Sequence, residues 1–320
     1  MSYLEPTEQD LRGARHRGRH DDEPAAPHAY HEPPPPEPTP EQPPAAPTGT
    51  GRAGRNLPAA IAVGASLGAV VLASLLFWRP GFVFVVGAAA VIGAWEMARA
   101  MAHDGGPRAP LAPLLAGAFV MIALAWYGGA EALTLGLVLT VLATMVWRLA
   151  DGPVGYQRDL LAAVLVTVYV PFLGSFAVLL DRPSDGAARV IVMLAAVVLS
   201  DTGGYVAGVF FGRHAMAPTV SPKKSWEGTA GSLLIAATGA AVLFVLVFHV
   251  AWWHGALFGL GVSAVAVLGD LAESLLKRDL HIKDMSQLLP GHGGLMDRLD
   301  SILFAAPTAF VLFSVLVPVR

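Results

Sequence analysis

The sequence predicts an all-α, polytopic integral membrane protein with about nine transmembrane helices behind a disordered N-terminal tail. Three observations carry this. Of 320 residues, 54% are hydrophobic and only 14% charged. Charge-free runs such as Gly231 to Val250 and Ser301 to Val319 are each long enough for a helix to cross about 30 Å of hydrocarbon. Finally, 12 of the 25 prolines fall within residues 1–55, where apolar residues show no helical period.

The two parts expected are therefore a Pro-rich tail, 1–55, and a transmembrane domain, 56–320. The basic patch Arg12 to His20 in the tail has two readings, contact with anionic headgroups or a solvated stretch without a specific role. The first long apolar run begins near Leu57, which argues against a cleaved signal peptide.

Charged or Gly/Pro-rich breaks divide the rest into spans at 57–78, 81–98, 111–129, 132–150, 160–180, 189–209, 229–250, 254–274 and 299–318. Each is expected to be a helix, because backbone groups in hydrocarbon must be satisfied within the segment and none of these runs alternates as a barrel strand does. Their many small residues, as in "VVGAAAVIGAW", suit close helix packing in lipid. Glu96 is a polar exception in the second span, read as an interfacial or bundle-facing carboxylate rather than a catalytic one.

The basic residues orient this map. Arg99, Arg108, Arg148, Arg158, Arg213, Lys223, Lys224, Lys277, Arg278, Lys283 and Arg298 fall in loops on one side, which the six tail arginines join; Arg79, Arg182, Arg189 and Arg320 fall on the other. Seventeen against four places the tail in the cytoplasm and the C-terminus outside. The absence of cysteine excludes a disulfide framework, a thiolate nucleophile and Cys-ligated zinc. A formal net charge of -3 gives no case for nucleic acid.

Three polar clusters interrupt the C-terminal half. In "LSDTGGYVAGVFFGRH", Asp201 lies inside an apolar helix, where a carboxylate costs a few kcal/mol unless it faces a polar cavity or caps a helix end. In "SPKKSWEG", Ser221 to Gly228, Ser225 followed by Glu227 marks a helix start. Lys223 and Lys224 beside it form either a phosphate receptor or a basic pair that only sets topology. In the third cluster, Asp270, Glu273 and Lys277 recur at i, i+3 and i+7 and so share one helical stripe. Arg278, Lys283, Asp284 and a glycine-rich "PGHGGLMDRLD" follow, with Asp297 and Asp300 again at i, i+3.

Hard oxygen ligands without cysteine suit Mg²⁺, and Asp270 and Asp297 are the preferred pair. Asp284 and Asp300 could instead pair with Lys283 and Arg298 or cap a helix, His292 reads best as a phosphate hydrogen-bond donor, and His281 as a loop residue. Carboxylates ringed by lysine and arginine fit phosphoryl or nucleotidyl transfer, in which a metal bridges the triphosphate, cations neutralise the leaving group, and no protein nucleophile is needed.

The stretch "SLLKRDLHIKDMSQLLPGHGGLMDRLD", Ser274 to Asp300, resembles the signature of the phosphatidate cytidylyltransferases, or CDP-diacylglycerol synthases, without a departure. "SPKKSWEG" and "SDTGGYVAG" are similar to the family's preceding motifs, so the likeness is detailed over 190–301 and general elsewhere.

The resemblance implies transfer of a cytidylyl group from CTP to phosphatidic acid in the cytoplasmic membrane, with the active site facing the cytoplasm. It implies Mg²⁺ on Asp270 and Asp297, possibly with a second, monovalent cation. Lys224, Lys277 and Arg298 would join these two aspartates in catalysis. Ser221, Lys223, Arg278, Asp201, Glu273, His292 and Asp300 would be substrate-binding. Expected partners are CTP, phosphatidic acid, membrane lipids and a second copy of the chain as a possible homodimer. Alternatives are a CTP-dependent polyprenol or lipid kinase, attacking at the γ-phosphorus, and a cation-coupled transporter. The latter would need polar groups across the midplane and would leave the His-Gly-Gly loop without a role.

Overall fold

A computed structural model describes residues 57–289 and 293–318. The expected tail, 1–55, and His292 lie outside the described residues.

The elements run α1 (Leu57–Phe77), α2 (Arg79–Met101), α3 (Leu111–Leu149), α4 (Tyr156–Thr167), α5 (Leu173–Asp181), α6 (Gly186–Phe211), β1 (Ala215–Ala217), β2 (Ser221–Ser225), α7 (Trp226–Leu243), α8 (Trp252–Asp279) and α9 (Met296–Leu316). A single π-helical turn, Val168–Phe172, joins α4 to α5 around Pro171, whose missing N–H breaks the regular ladder. Among the described residues seven helical segments are long and apolar enough to cross a membrane, counting α4 through α5 as one, and Ala62–Phe77 is a shorter apolar helix. The chain is an integral membrane protein.

Some bounds differ from those read in the sequence. The spans expected at 111–129 and 132–150 are the two halves of α3, separated at Gly129, whose φ of 78° and ψ of -159° only glycine adopts at low cost. Its halves fold back on each other, with Gly117 against Thr140 and Gly136 against Met121. α8 runs to Asp279 rather than ending near 274, so the whole stripe from Asp270 to Lys277 is helical. Asp297, expected in the glycine-rich loop, stands in the first turn of α9.

A short antiparallel hairpin, β1–β2, was not expected at all. It places Ser221, Lys223 and Lys224 on a strand immediately before α7. The helix start read at Ser225 is present: its backbone is extended (φ -121°, ψ 156°) and its hydroxyl accepts from the Gly228 N–H at 3.1 Å. Ser225→Ala is expected to cost about 1 kcal/mol of stability, read as a small fall in the melting temperature in nanodiscs.

α6, α7, α8 and α9 pack consecutively, with backbones brought close by small residues. A methyl at Gly203 would stand 2.7 Å from the Gly231 carbonyl oxygen. Ser200, wholly buried, shares a 2.8 Å hydrogen bond with Ser263 of α8, and Ser232 of α7 donates to the Ser200 carbonyl at 2.7 Å. Beneath these, Phe244, Phe258 and Phe313 form a buried aromatic core, with Phe258 and Phe313 centroids 4.6 Å apart.

Ion pairs mark both ends of the bundle. At one end Arg79 reaches Asp181 at 3.4 Å and the Pro183 carbonyl at 2.8 Å, and Arg189 reaches Asp185 and the Val317 carbonyl, each at 2.8 Å. At the other, the buried Arg148–Asp159 pair at 3.0 Å holds the α3–α4 turn, and Asp159 also accepts from the Arg108 N–H. The second end carries the hairpin and the 280–295 loop.

Candidate active site

The hairpin leans over α6 and α8, and Lys224 spans the gap: its Nζ lies 2.6 Å from Asp270 Oδ2. A cavity of about 340 Å³ opens there, lined by Asp201 and small residues of α6, Lys223 to Ser225 of β2, the start of α7, and Asp270 of α8. Asp201 thus has the polar cavity that its position in an apolar helix demanded. Asp201 and Asp300 both lie within electrostatic reach of Asp270. A second cavity of about 270 Å³ adjoins the first at Lys223 and is bordered by Ser221, Ser274, Lys277, Arg278 and Lys283, a cationic wall without a carboxylate. Arg278 also donates to the Val220 carbonyl at 3.3 Å, tying the end of α8 to the hairpin.

One turn further along the α8–α9 face, Lys277 is shared by two acids: its Nζ lies 2.6 Å from Asp297 Oδ1 and 2.8 Å from Glu273 Oε1. Glu273 is wholly buried, and its Oε2 has no hydrogen-bond partner among the described residues. Asp297 also fixes the glycine loop, accepting from Gly294 N–H at 2.6 Å and from Met285 N–H at 3.1 Å. Gly293 has φ of 81°, and Gly294 is wedged between the carboxylates of Asp297 and Glu96, which explains glycine at both positions.

The structure therefore brings Asp201, Asp270, Asp300 and Lys224 into one group, and Glu273, Lys277 and Asp297 into a neighbouring one. The two aspartates chosen from the sequence as a metal pair belong to different groups on the same face. Arg298 is exposed in the first turn of α9. An apolar cavity of about 110 Å³ lies among α1, α2, α5, α6 and α9, and no titratable side chain lines it.

Three supporting residues were not assigned to the site from the sequence. Glu96 of α2, given no catalytic part there, accepts hydrogen bonds from the 286–296 segment. Its signal was a lone carboxylate in an apolar run. Tyr169, on the π turn, approaches the Gly269 carbonyl with its hydroxyl at 3.4 Å and meets Phe304 edge-on at 5.2 Å; no sequence pattern marks it. Glu227 accepts from the Arg213 and His214 N–H groups and pairs with His214 Nδ1 at 2.6 Å, fixing the hairpin against α7.

Residues 58–316 match the cytidylyltransferase family. The chain belongs to that family. Among curated relatives of this cytidylyltransferase, the phosphatidate cytidylyltransferase of Mycobacterium bovis is 43% identical over 282 residues, covering 84% of this chain and 92% of the relative. That of Mycobacterium leprae is 43% identical over 283 residues, covering 83% and 90%. That of Haemophilus influenzae is 31% identical over 276 residues, covering 75% and 92%. The match takes in α2 and the π turn as well as the motifs of the C-terminal half, so Glu96 and Tyr169 fall inside the family region.

Proposed function

We propose that this cytidylyltransferase transfers the cytidylyl group of CTP to phosphatidic acid, forming CDP-diacylglycerol and pyrophosphate. The observation that carries the reading is the Lys224–Asp270 cavity adjoining a cationic one at a single end of an apolar bundle. Phosphatidic acid keeps its acyl chains in a leaflet and its phosphate at headgroup level, while CTP comes from water. A site at helix ends is where the two can meet. The names of the relatives point to the same substrate.

In this reading a lipid phosphate oxygen attacks the α-phosphorus in line, the new P–O–P bond forms, and the bond to the β-phosphate oxygen breaks with the pair leaving on pyrophosphate. Lys223, Lys277, Arg278 and Lys283 border the space that takes phosphate charge, with Ser221 as a neutral donor and Arg298 at the α9 end. Lys224 stands between the two substrates' charges and Asp270. Glu273 and Asp297 hold Lys277 in place from either side, so its ammonium is aimed before substrate arrives.

Hard carboxylate oxygens suit Mg²⁺, and Asp201 and Asp300 lie within electrostatic reach of Asp270, but among the described residues no three acidic side chains converge as a metal site, and Asp270 and Asp297 are each held by a different lysine. For Asp270 and Asp297 to hold the ion, as read from the sequence, Lys224 and Lys277 would have to release them; a monovalent cation could share the same acids. Bound there, Mg²⁺ would supply charge neutralisation on the triphosphate.

In this reading the end that bears the site faces the cytoplasm from the cell membrane, the side on which CTP is found, and the positive-inside count supports it. Particle mass in nanodiscs decides whether the homodimer considered from the sequence forms.

Purified protein incubated with labelled nucleotides and defined lipids should release pyrophosphate and a CDP-lipid from CTP and phosphatidic acid. CDP with a newly phosphorylated lipid would instead establish kinase chemistry. Lys224→Ala is expected to raise the CTP concentration for half-maximal rate about tenfold, the loss of one charge-assisted contact. An unchanged CTP dependence would leave Lys224 a topology-setting residue.

A further inference from the structure

Glu96 lies on α2, about 200 residues away in sequence from the groups it touches, and it is 1% exposed. Its Oε2 accepts from the Met296 N–H at 2.8 Å and its Oε1 from the Leu295 N–H at 3.1 Å, the N–H groups at the start of α9. The Ser286 hydroxyl makes a short hydrogen bond to the same Oε1. No cation pairs with it among the described residues; three neutral donors and the positive end of a helix do that work.

These contacts matter through what else the segment carries. Ser286 and Leu295 bracket the glycine loop, and the next residues of α9 are Met296, Asp297 and Arg298. Gly294 sits between two carboxylates: a methyl there would stand 3.0 Å from Glu96 Oε2 and 3.1 Å from Asp297 Oδ2. Glu96 therefore pulls on the outer side of the loop while Asp297, itself gripped by Lys277, closes the inner side. Around Glu96 the packing is apolar and tight: Met97 and Met296 are both fully buried, and Met285 nearly so. With such walls, an unpaired α9 terminus has no water to turn to, and the carboxylate fixes where that helix begins.

We infer that Glu96 is a positioning residue for cytidylyl transfer: from α2 it clamps the α9 N-terminus and Ser286, and so sets the placement of Asp297 and Arg298. The inference rests on the cytidylyl-transfer reading above. It also gives α2, outside the recognised motifs, a direct hold on the site. Glu96 touches no substrate in this arrangement. Its removal should lower turnover more than it weakens substrate binding, because Lys223 and Lys224 sit on a separate hairpin that Glu96 does not contact.

The test is Glu96→Gln, which keeps the shape and removes the charge and one acceptor. In nanodiscs with CTP and phosphatidic acid, kcat should fall about 10- to 100-fold, the range for outer-shell partners, with the CTP KM changed by less than about threefold. Hydrogen exchange without substrates should rise in peptides covering 285–296 and stay unchanged in α6 and α7.

A kcat within about twofold of the parent, or unaltered exchange in 285–296, overturns the inference. So does a uniform rise in exchange across the bundle, which would make Glu96 a general packing residue. Should the Gln variant fail to fold, Ser286→Ala decides: it removes one of three donors, and parental kcat with parental loop exchange overturns the clamp. Absence of CDP-lipid formation by the parent protein would sink the activity reading instead, and the substrate-free exchange comparison would still report on the clamp.

Discussion

Asp270→Asn loses more than about 100-fold in turnover, beyond the usual cost of an outer-shell partner, while the protein folds and inserts normally. Two magnitudes decide this. The Asp270 side chain is 37% exposed and its partner Lys224 23%, so the pair resembles a surface ion pair worth about 0–1 kcal/mol to stability. Its expected role in the reaction is larger, because Asp201 and Asp300 lie within electrostatic reach of this carboxylate and, in the proposed reading, it would help hold a divalent ion beside the triphosphate. The measurement is CDP-diacylglycerol formation at saturating CTP and Mg²⁺, alongside a melting curve. Parental turnover would remove Asp270 from the chemistry; a collapsed melting temperature would show that the pair is structural.

Lys277→Met has the opposite balance and affects stability as much as activity. Lys277 is 17% exposed, and it neutralises Glu273, fully buried, and Asp297, 5% exposed. Removing the cation leaves the buried Glu273 without its partner and Asp297 with only its Gly294 and Met285 N–H donors, and breaking a buried pair in this way costs about 3–5 kcal/mol. The expected result is a marked fall in melting temperature and loss of turnover. Adding Glu273→Gln to Lys277→Met removes one of the stranded charges, so it should restore part of the stability and none of the activity. A stable single variant would contradict the placement of Lys277 between the two acids.

The helical, membrane-spanning class was plain from the charge-free runs, because a bilayer imposes a length on every span. The stripe of Asp270, Glu273 and Lys277 was equally legible, since helical spacing alone puts i, i+3 and i+7 together, and Ser225 announced its helix by chemistry local to four residues. What stayed hidden depends on contacts between distant segments. Nothing in the sequence near Glu96 points to Leu295 or Met296, and nothing in "SPKKS", with a proline at its second position, alternates as a strand should. The hold of Lys277 on Asp297 could not be read either, because Asp297 looks like a free loop ligand until α9 is seen to begin one residue before it. The turn at Gly129 between the two halves of α3 rests on one glycine dihedral, and such geometry has no compositional signature.

The short connections opposite the site bear on how the molecule can be probed. Trp78, Gly129, Arg182 to Asp185 and His249 to Ala251 join successive helices there within a few residues, and the turn from Arg182 to Asp185 is tied down by Arg79 and Arg189. A protease or membrane-impermeant label applied from that face meets almost no free backbone, whereas the α2–α3 and α3–α4 connections and the hairpin offer exposed chain on the other. Sidedness in sealed vesicles should thus be reported by a single cutting pattern: intact bundle with enzyme on one side, and fragments ending near 102–110, 150–155 or 212–225 with enzyme on the other.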